Sequence, residues 1–336
     1  MSEQEMTGKE LEAAIEGFST IFHKLEDEIS TIIVGNKEII QLSLTALFAG
    51  GHVLLEGAPG LGKTRLVRAI SETLGLSFRR IQFTPDLMPT DVTGTQVLTE
   101  DESGKRTFVF KPGPIFGHII LADEINRATP KTQSSLLEAM EEHQTTVLGE
   151  RHVLEEPFFV LATQNPVELE GTYPLPEAQL DRFLLKILLK NPTPENLKEI
   201  LTRTTGSKTP APTQIIEPEI ARETIENMKK LARKVTIADP LLEVIVRIIS
   251  ALTPGSQYAT DLVNSYVRFG PGPRAAQAMT LAAKVLALLD NRINLAFEDL
   301  KTVVIPALRH RLILNFQAEA DEIDSDQIIE QVVNAR

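Results

Sequence analysis

Short apolar runs alternate with amphipathic stretches along the first half of this chain. In one such stretch, Thr64–Leu74, apolar residues recur every three to four positions, which is typical of a helix with one buried face. The apolar runs predict five strands: His52–Glu56, Phe78–Phe83, His118–Asp123, Phe158–Thr163 and Phe183–Leu189. Strands that alternate with helices indicate an α/β fold with a parallel sheet and crossover helices.

The pattern changes after Lys190, because Asn191-Pro192-Thr193-Pro194 interrupts it and most of the remaining chain has helical periodicity. We therefore predict two domains: an α/β domain over residues 1–192, with helices within 8–50, and a smaller all-α domain over residues 193–336. The candidate helices of the second domain are Glu195–Arg203, Pro218–Lys234, Pro240–Leu252, Asp261–Val267, Pro273–Leu289 and Phe297–Val304.

Two segments interrupt the α/β half. Turn-forming residues and short β-like pieces fill residues 84–116, where a plain crossover would need only a helix. Residues 145–157 have the alternation of a β-hairpin around Leu148-Gly149. Insertions on a rigid sheet commonly carry function, so both segments are candidate interaction sites.

Charge and composition narrow the class of protein. The 336 residues have a formal net charge of −12, which argues against a general affinity for nucleic acid but leaves a local basic groove open. The chain has no cysteine, and its acidic, polar beginning is unlike a secretory signal. The apolar stretch Ile39–Leu55 is interrupted by polar residues and glycines, so we expect no membrane insertion and a cytoplasmic location.

A glycine-rich segment between the first predicted strand and the next helix has the pattern of a phosphate-binding loop. Its residues are Gly57, Ala58, Pro59, Gly60, Leu61, Gly62, Lys63 and Thr64, followed by Arg65. Glycines let backbone N–H groups turn inward around phosphate oxygens at the positive end of a helix. Lys63 is then expected at the β and γ phosphates and the Thr64 hydroxyl on Mg²⁺, which predicts that the chain binds a nucleoside triphosphate.

Polar residues follow two later strands. Asp123 and Glu124 end the third predicted strand, at the edge of a parallel sheet where ligands bind. Asp123 is a candidate Mg²⁺ ligand through water, and Glu124 is a candidate base for the water that attacks the γ-phosphate. Asn165 follows the next strand; it could hold that water, although Asn165-Pro166 is also a plain turn signal.

Taken in order, these motifs resemble the AAA+ ATPases, and more narrowly the MoxR family of the helix 2 insert clade. The resemblance covers roughly residues 8–316 and includes the runs Phe83–Gly94, Asp123–Ala128 and Leu308–Arg311. It implies an AAA+ core with a helix 2 insert at residues 84–116, a hairpin at 145–157 before a sensor 1 residue, Asn165, and a small helical lid.

The resemblance also implies roles for two arginines. Arg182, just before the fifth strand, matches an arginine finger that reaches a neighbouring subunit's γ-phosphate; a salt bridge to Asp181 or Glu177 is the alternative. Arg274 follows Pro273 at the start of a helix, where a cation has the wrong sign unless an anion is near. The resemblance makes Arg274 the sensor 2 residue. A nucleotide phosphate held between lid and core would then be the anion near it. A bridge to a nearby acid and simple solvation are the alternatives.

Two further residues have open assignments. Arg127 follows the Asp123-Glu124 pair closely enough to act across a subunit interface, but it could instead cap the helix around Gln133. Gly35, in Val34-Gly35-Asn36, is similar to the segment that packs near adenine in this superfamily, and a helix-linking turn is an equal alternative.

Three functions are then open. The resemblance implies an ATPase that uses ATP and Mg²⁺ in a homo-oligomeric ring, expected to be a hexamer, to remodel partner proteins, some with a von Willebrand factor A domain. The second is a DNA-acting AAA+ motor or loader, for which Arg79-Arg80 and Lys105-Arg106 could contact phosphates. The third is a nucleotide-gated binding module that hydrolyses ATP poorly.

Overall fold

The computed structural model describes residues 8–100, 104–166, 171–206 and 210–334. Two helices precede the first strand, and helices then alternate with strands as the apolar pattern predicts. In chain order the first half comprises α1 (Gly8–Ile32), α2 (Lys37–Ala49), β1 (Val53–Glu56), α3 (Lys63–Thr73), β2 (Phe78–Gln82), α4 (Pro89–Thr93), β3 (Gly94–Glu100), β4 (Arg106–Pro112), β5 (Ile119–Asp123), α5 (Pro130–Glu142), β6 (Gln144–Val147), β7 (Glu150–Val153), β8 (Phe159–Gln164), α6 (Glu177–Leu180) and β9 (Leu185–Leu188).

Five of these strands form one parallel sheet in the order β2-β5-β8-β1-β9. The buried runs Val53–Leu55 and Ile119–Ala122 are covered on both faces, as parallel strands usually are. All five carboxyl ends therefore lie at one edge of the sheet, and all five amino ends lie at the other. The predicted α/β fold with a five-stranded parallel sheet is confirmed.

The two predicted insertions are both β-hairpins, and they contact each other. Strands β3 and β4 pair antiparallel after the short helix α4, and β6 pairs with β7. The Phe110 ring stacks on His152 with centroids 3.8 Å apart, and the Gln96 amide donates to the Glu150 carboxylate at 3.3 Å. Leu98, Phe108 and Leu148 remain exposed on this joined surface, which we call the hairpin surface.

The second half is helical, as predicted, except for one small sheet. Val267–Phe269 and Ile313–Leu314 form an antiparallel pair, so the expectation of a wholly α second domain is corrected in this detail. Its elements are α7 (Pro194–Thr204), α8 (Pro218–Lys234), α9 (Asp239–Ala251), α10 (Asp261–Tyr266), β10 (Val267–Phe269), α11 (Pro273–Leu289), α12 (Phe297–Leu308), β11 (Ile313–Leu314), α13 (Phe316–Ala320) and α14 (Ser325–Asn334).

Buried apolar side chains form a separate cluster on each face of the sheet. One cluster runs from β1 and α3 through α1 and α2 into α8, α11 and α12, so the helical half packs on the amino-terminal helices. Ser19 of α1 also donates to the Leu289 carbonyl at the end of α11, at 2.9 Å. The other cluster joins the sheet to α5 and the first insertion. Within the described residues, no helix is both long and apolar enough to cross a membrane.

Candidate functional site

The phosphate-binding loop joins the carboxyl end of β1 to α3. Gly60 and Gly62 have φ of 84° and 79°, a left-handed backbone that favours glycine. Gly57 is needed for a different reason, since a Cβ there would lie 2.8 Å from the Leu189 Cβ. Ala58, Pro59 and Leu61 complete the loop backbone between these glycines. The sequence pattern therefore has a steric cause at each of its three glycines.

Lys63 begins α3, and its ammonium group folds back over the loop. The Lys63 Nζ donates to the Gly57 carbonyl at 2.7 Å, and the side chain is buried. A buried ammonium across a ring of backbone N–H groups is a strong attractor for phosphate oxygens. Thr64 follows in the first turn of α3, at the positive end of the helix.

An adjoining cavity of about 260 Å³ lies between this loop, the end of α1 and helix α7. Arg203 of α7 donates to the Thr31 carbonyl at 2.6 Å, which ties α7 to the last turn of α1 beside the cavity. Arg65 lines the cavity as well, and donates to the Pro210 carbonyl at 3.4 Å. The walls are largely apolar and include Ile33, Val34, Leu61, Leu197 and Ile200. This cavity suits a flat, mostly apolar ring attached to phosphates in the loop.

Gly35 has a structural role next to this cavity. Its φ is 73°, and a Cβ would lie 2.1 Å from the Asn196 side-chain nitrogen. Its neighbours Val34 and Asn36 line the cavity, whereas Gly35 itself lines an adjacent one of about 350 Å³. The left-handed backbone of this turn therefore favours glycine, and a larger residue would also have to displace the Asn196 side chain.

Asp123 ends β5 with its carboxylate nearly buried. One oxygen accepts from the Thr163 hydroxyl at 2.6 Å, and the other accepts from the Arg80 guanidinium at 2.6 and 3.1 Å. The Asp123 carboxylate and the Thr64 hydroxyl are the hard oxygen ligands that Mg²⁺ prefers. The part of the chain that the structure describes has no cluster of three or more His, Cys, Asp or Glu suited to a metal.

Glu124 has a strained backbone, and one oxygen of its carboxylate accepts two hydrogen bonds. Its φ is 56°, which is uncommon for a residue other than glycine and is often found at functional sites. Its N–H donates to the Thr163 hydroxyl at 2.8 Å. Its carboxylate accepts from the Gln82 amide at 2.8 Å and from Arg127 at 3.0 Å. Arg127 therefore contacts the candidate base itself, an arrangement that neither of the two sequence alternatives anticipated.

Asn165 lies between the loop and the Asp123-Glu124 pair. Strand β8 is the neighbour of both β1 and β5, and Glu56 is in register with Gln164. The Gly57 N–H donates to the Gln164 carbonyl at 3.2 Å, so the residue after Gln164 lies beside the start of the loop. Asn165 is buried at this position. The sheet thus brings the predicted carboxylates, amide and phosphate loop to one edge.

Arg182 and Arg274 lie together at the opposite, amino edge. Arg182 donates to the Glu141 carboxylate at 2.9 Å and to the Leu137 carbonyl at 2.5 Å, both on α5. Arg274 donates to the other Glu141 oxygen at 2.5 Å. Glu141 is therefore an anion that both arginines share. For Arg274, this is the bridge to a nearby acid that the sequence left as an alternative. For Arg182, the sequence suggested a bridge to Asp181 or Glu177 instead.

This position places Arg274 away from the phosphate-binding loop of its own chain. The two arginines line a cavity of about 240 Å³ with Gly51 and His52, which precede β1, whereas the phosphate-binding loop follows β1. The six residue steps from Gly51 to Gly57 span roughly 20 Å of extended chain. The lid helix α11 packs on α1 and α2 in this fold, which directs its first turn to the amino edge.

Two further residues lie at the amino edge: Asp181, which the sequence suggests only as an alternative partner of Arg182, and His52, for which it suggests no role. Asp181 accepts from Arg311 at 2.6 Å and lies 3.7 Å from Arg274. His52 is buried, accepts from the Val160 N–H and contacts the Met140 carbonyl, and burial lowers its pKa to about 4. No sequence motif indicates that Glu141 and Asp181 lie beside Arg274. Only the requirement of two arginines for a nearby anion could have suggested this.

Comparisons with known proteins agree with this geometry. The sequence profile of the ATPase family associated with various cellular activities (AAA) matches residues 52–185, and that of the AAA lid domain matches residues 259–332. Together with the phosphate-binding loop on a five-stranded parallel sheet, these matches define the class of protein as an AAA+ ATPase with a lid.

Similar proteins narrow the class to a family. The uncharacterized protein YeaC of Bacillus subtilis is 42% identical over 95% of both chains. Chaperone MoxR1 of Mycobacterium tuberculosis is 40% identical over 95% of this chain and 83% of its own length. A solved structure described as a candidate ATPase from Cytophaga hutchinsonii is 40% identical, with a TM-score of 0.89 over 97% of both chains. The chain belongs to the MoxR family of AAA+ ATPases.

Proposed function

We propose that this chain hydrolyses ATP in a homo-oligomeric ring, expected to be a hexamer, in which each site combines the carboxyl edge of one subunit with the amino edge of the next. The observation that carries this proposal is that Arg182 and Arg274 line a cavity with Gly51 and His52, on the side of β1 opposite to the phosphate-binding loop. Two cations that lie away from their own loop can stabilise phosphate only on another chain.

Each residue of the carboxyl edge then has a role in the reaction. Lys63 and the loop N–H groups hold the phosphates, and the cavity beside Ile33 and Leu197 holds adenine. Thr64 and Asp123 would hold Mg²⁺, which when bound neutralises phosphate charge. Glu124 takes the proton of the attacking water once Gln82 and Arg127 release it, and Asn165 orients that water.

The amino edge supplies positive charge to the neighbour's γ-phosphate. In the single chain, Arg182 and Arg274 share the one carboxylate of Glu141, at 2.9 and 2.5 Å. A phosphate carries more charge than a carboxylate and accepts from several donors at once, so it can displace Glu141 from both arginines. An arginine supplied in trans typically accelerates phosphoryl transfer about 10³-fold or more.

The work done with this energy is proposed to be the remodelling of partner proteins. A relative carries the name Chaperone MoxR1, and the hairpin surface exposes Leu98, Phe108 and Leu148. Exposed apolar side chains on paired hairpins suit transient contact with a partner protein. A client with a von Willebrand factor A domain is proposed on the family resemblance alone.

A DNA-acting motor is less well supported. The net charge is −12, and two of the basic residues considered for DNA contact are already engaged, Arg80 with Asp123 and Arg106 with Glu100. Strong stimulation of ATPase activity by DNA at about 150 mM salt, as opposed to no change, would nevertheless favour the motor over our proposal.

Assembly dependence tests the proposal. We expect the ATPase rate per subunit to fall steeply on dilution, in step with the loss of the oligomer in sedimentation velocity, because a dissociated subunit lacks the arginines of its neighbour. Glu142→Gln, an exposed change on α5, is the matched control. Its ATPase rate per subunit should depend on protein concentration as that of wild type does. A rate per subunit that stays constant through dissociation would contradict the proposal.

A further inference from the structure

The finger residue Arg182 lies in a short connector, residues 181–184, between α6 and β9. Regular sheet pairing begins only after it, at Leu185. The position of the Arg182 side chain therefore depends on the groups that hold the carbonyls on either side of it.

One buried guanidinium holds most of this connector. Arg311, which follows the end of α12 in the lid, donates to the Asp181, Phe183 and Leu184 carbonyls at 2.9, 2.8 and 3.2 Å. It also donates to the Asp181 carboxylate at 2.6 Å and to the Ala307 carbonyl at 2.5 Å. The Phe183 carbonyl is additionally in hydrogen-bonding contact with the His310 ring, at 3.0 Å. Arg311 thus holds the residues on both sides of Arg182.

The same guanidinium belongs to an alternating series of charges. Arg311 pairs with Asp181, Asp181 lies 3.7 Å from Arg274, Arg274 pairs with Glu141, and Glu141 pairs with Arg182. Burial, together with the positive charge of Arg274, lowers the pKa of Arg311. A buried ion pair of this kind adds little stability compared with apolar packing. The geometric effect of the Arg311–Asp181 pair is to join the end of α12 to the connector that carries Arg182.

We propose that Arg311 is a positioning residue, which fixes Arg182 relative to Arg274 so that both arginines reach one neighbouring phosphate together. This inference rests on the proposed function in trans. Because its guanidinium donors bond the connector, the Asp181 carboxylate and the Ala307 carbonyl, Arg311 acts through the connector. Movement of the lid would then displace both arginines as a unit.

Arg311→Lys tests this role, since lysine keeps the charge but presents its donors from one atom and cannot span the connector. We expect the kcat to fall about ten- to a hundredfold, because misplacement of a reacting group by about 1 Å can have an effect of this size, with the KM for ATP within about threefold. Mixing with Lys63→Ala subunits should restore activity. The Arg311→Lys subunit then supplies the intact phosphate-binding loop, and the Lys63→Ala subunit supplies a correctly positioned Arg182.

Arg292→Lys is the matched control, because Arg292 also pairs bidentately with a lid carboxylate, Asp299, at 2.9 and 2.7 Å. It should lower the melting temperature comparably yet leave the kcat within about twofold of wild type. If Arg311→Lys does not fold, Asp181→Asn tests the same pairing, and a several-fold loss of kcat, restored by Lys63→Ala subunits, is expected.

Two controls separate the inference from the function on which it rests. A wild-type kcat in Arg182→Ala would overturn the function in trans itself. A large loss in Arg182→Ala together with a wild-type kcat in Arg311→Lys, or a loss that mixing does not restore, would overturn only the positioning role.

Discussion

The two edges of the parallel sheet are built from different kinds of sequence. At the carboxyl edge, the phosphate-binding loop, Asp123-Glu124 and Asn165 each follow a strand directly, so the chain delivers them in short runs. At the amino edge, His52, Glu141, Asp181, Arg182, Arg274 and Arg311 come from distant places in the chain and meet only in the folded protein. The first edge carries the phosphate-binding loop, and the second carries the arginines that we propose act on a nucleotide of the neighbouring subunit.

The distribution of charge over the two edges bears directly on the proposal that each site is shared between two subunits. At the carboxyl edge, Lys63 lies at the phosphate-binding loop, and the arginines Arg80 and Arg127 are paired with Asp123 and Glu124. The cations of the amino edge are in excess, with three arginines for the two carboxylates Glu141 and Asp181. One edge has room for phosphate and the other has the charge to stabilise it.

The largest effect is expected at the carboxyl edge, from Glu124→Gln. The amide cannot take a proton from water, so the kcat should fall by about 10³, within the usual range for loss of a general base. Binding of a fluorescent ATP analogue should be retained, since Glu124 does not hold phosphate in this account. Normal turnover in this variant would show that the base is assigned wrongly.

Arg274→Ala should have the next largest effect and sharpen the comparison at the amino edge. We expect about a hundredfold loss of kcat with nearly unchanged ATP affinity, because the residue acts on the neighbour's transition state and is remote from its own loop. If Arg274 instead served its own site, the variant would weaken ATP binding to isolated subunits, which equilibrium titration below the assembly concentration would detect.

Mild acid should destabilise the amino edge through His52. Its pKa of about 4 in the folded protein lies below the ordinary value of 6.5, so below pH 6.5 the unfolded chain binds a proton that the folded chain does not. The stability is complete above pH 6.5 and is lost as the pH falls towards 4. Between about pH 7.5 and 5.5 the loss is about 1.4 kcal/mol.

Urea unfolding of wild type and of His52→Gln at these two pH values measures how much of the loss in unfolding free energy is due to His52. Glutamine can both donate and accept, as His52 does with Met140 and Val160, but it does not titrate. The raised pKa of His143, caused by its hydrogen bond to Glu156, acts in the opposite direction in both proteins and cancels. Equal losses in the two proteins would contradict the assignment.

The smallest effect is expected from Arg80→Met at the carboxyl edge. The Arg80 side chain is partly exposed and competes with Mg²⁺ for Asp123, and exposed pairs of this kind contribute about 0.2–1 kcal/mol. The Mg²⁺ concentration for half-maximal activity should fall up to about fivefold. Arg79→Met, an exposed change on the same strand, is the control, and an equal shift there would indicate only a general charge effect.

The sequence could predict the features that depend on local pattern. Strand and helix periodicity predicted the five-stranded sheet, and the motifs at Gly57–Thr64 and Asp123-Glu124 lie where consecutive residues leave a strand. The position of Arg274 could not be predicted, because it depends on how α11 packs against α1 and α2, which no local pattern encodes. For the same reason the hairpin strands were anticipated, but the stacking of Phe110 on His152 was not.

The most direct test of a site shared between subunits is a mixing experiment with Arg182→Ala and Lys63→Ala. Each variant alone should be nearly inactive, the first because it lacks the finger and the second because it cannot hold ATP. In an equal mixture, roughly one interface in four joins an intact loop to an intact finger, so we expect about a quarter of the wild-type rate. An assembled mixture that stays as inactive as its parts would contradict catalysis across the subunit interface.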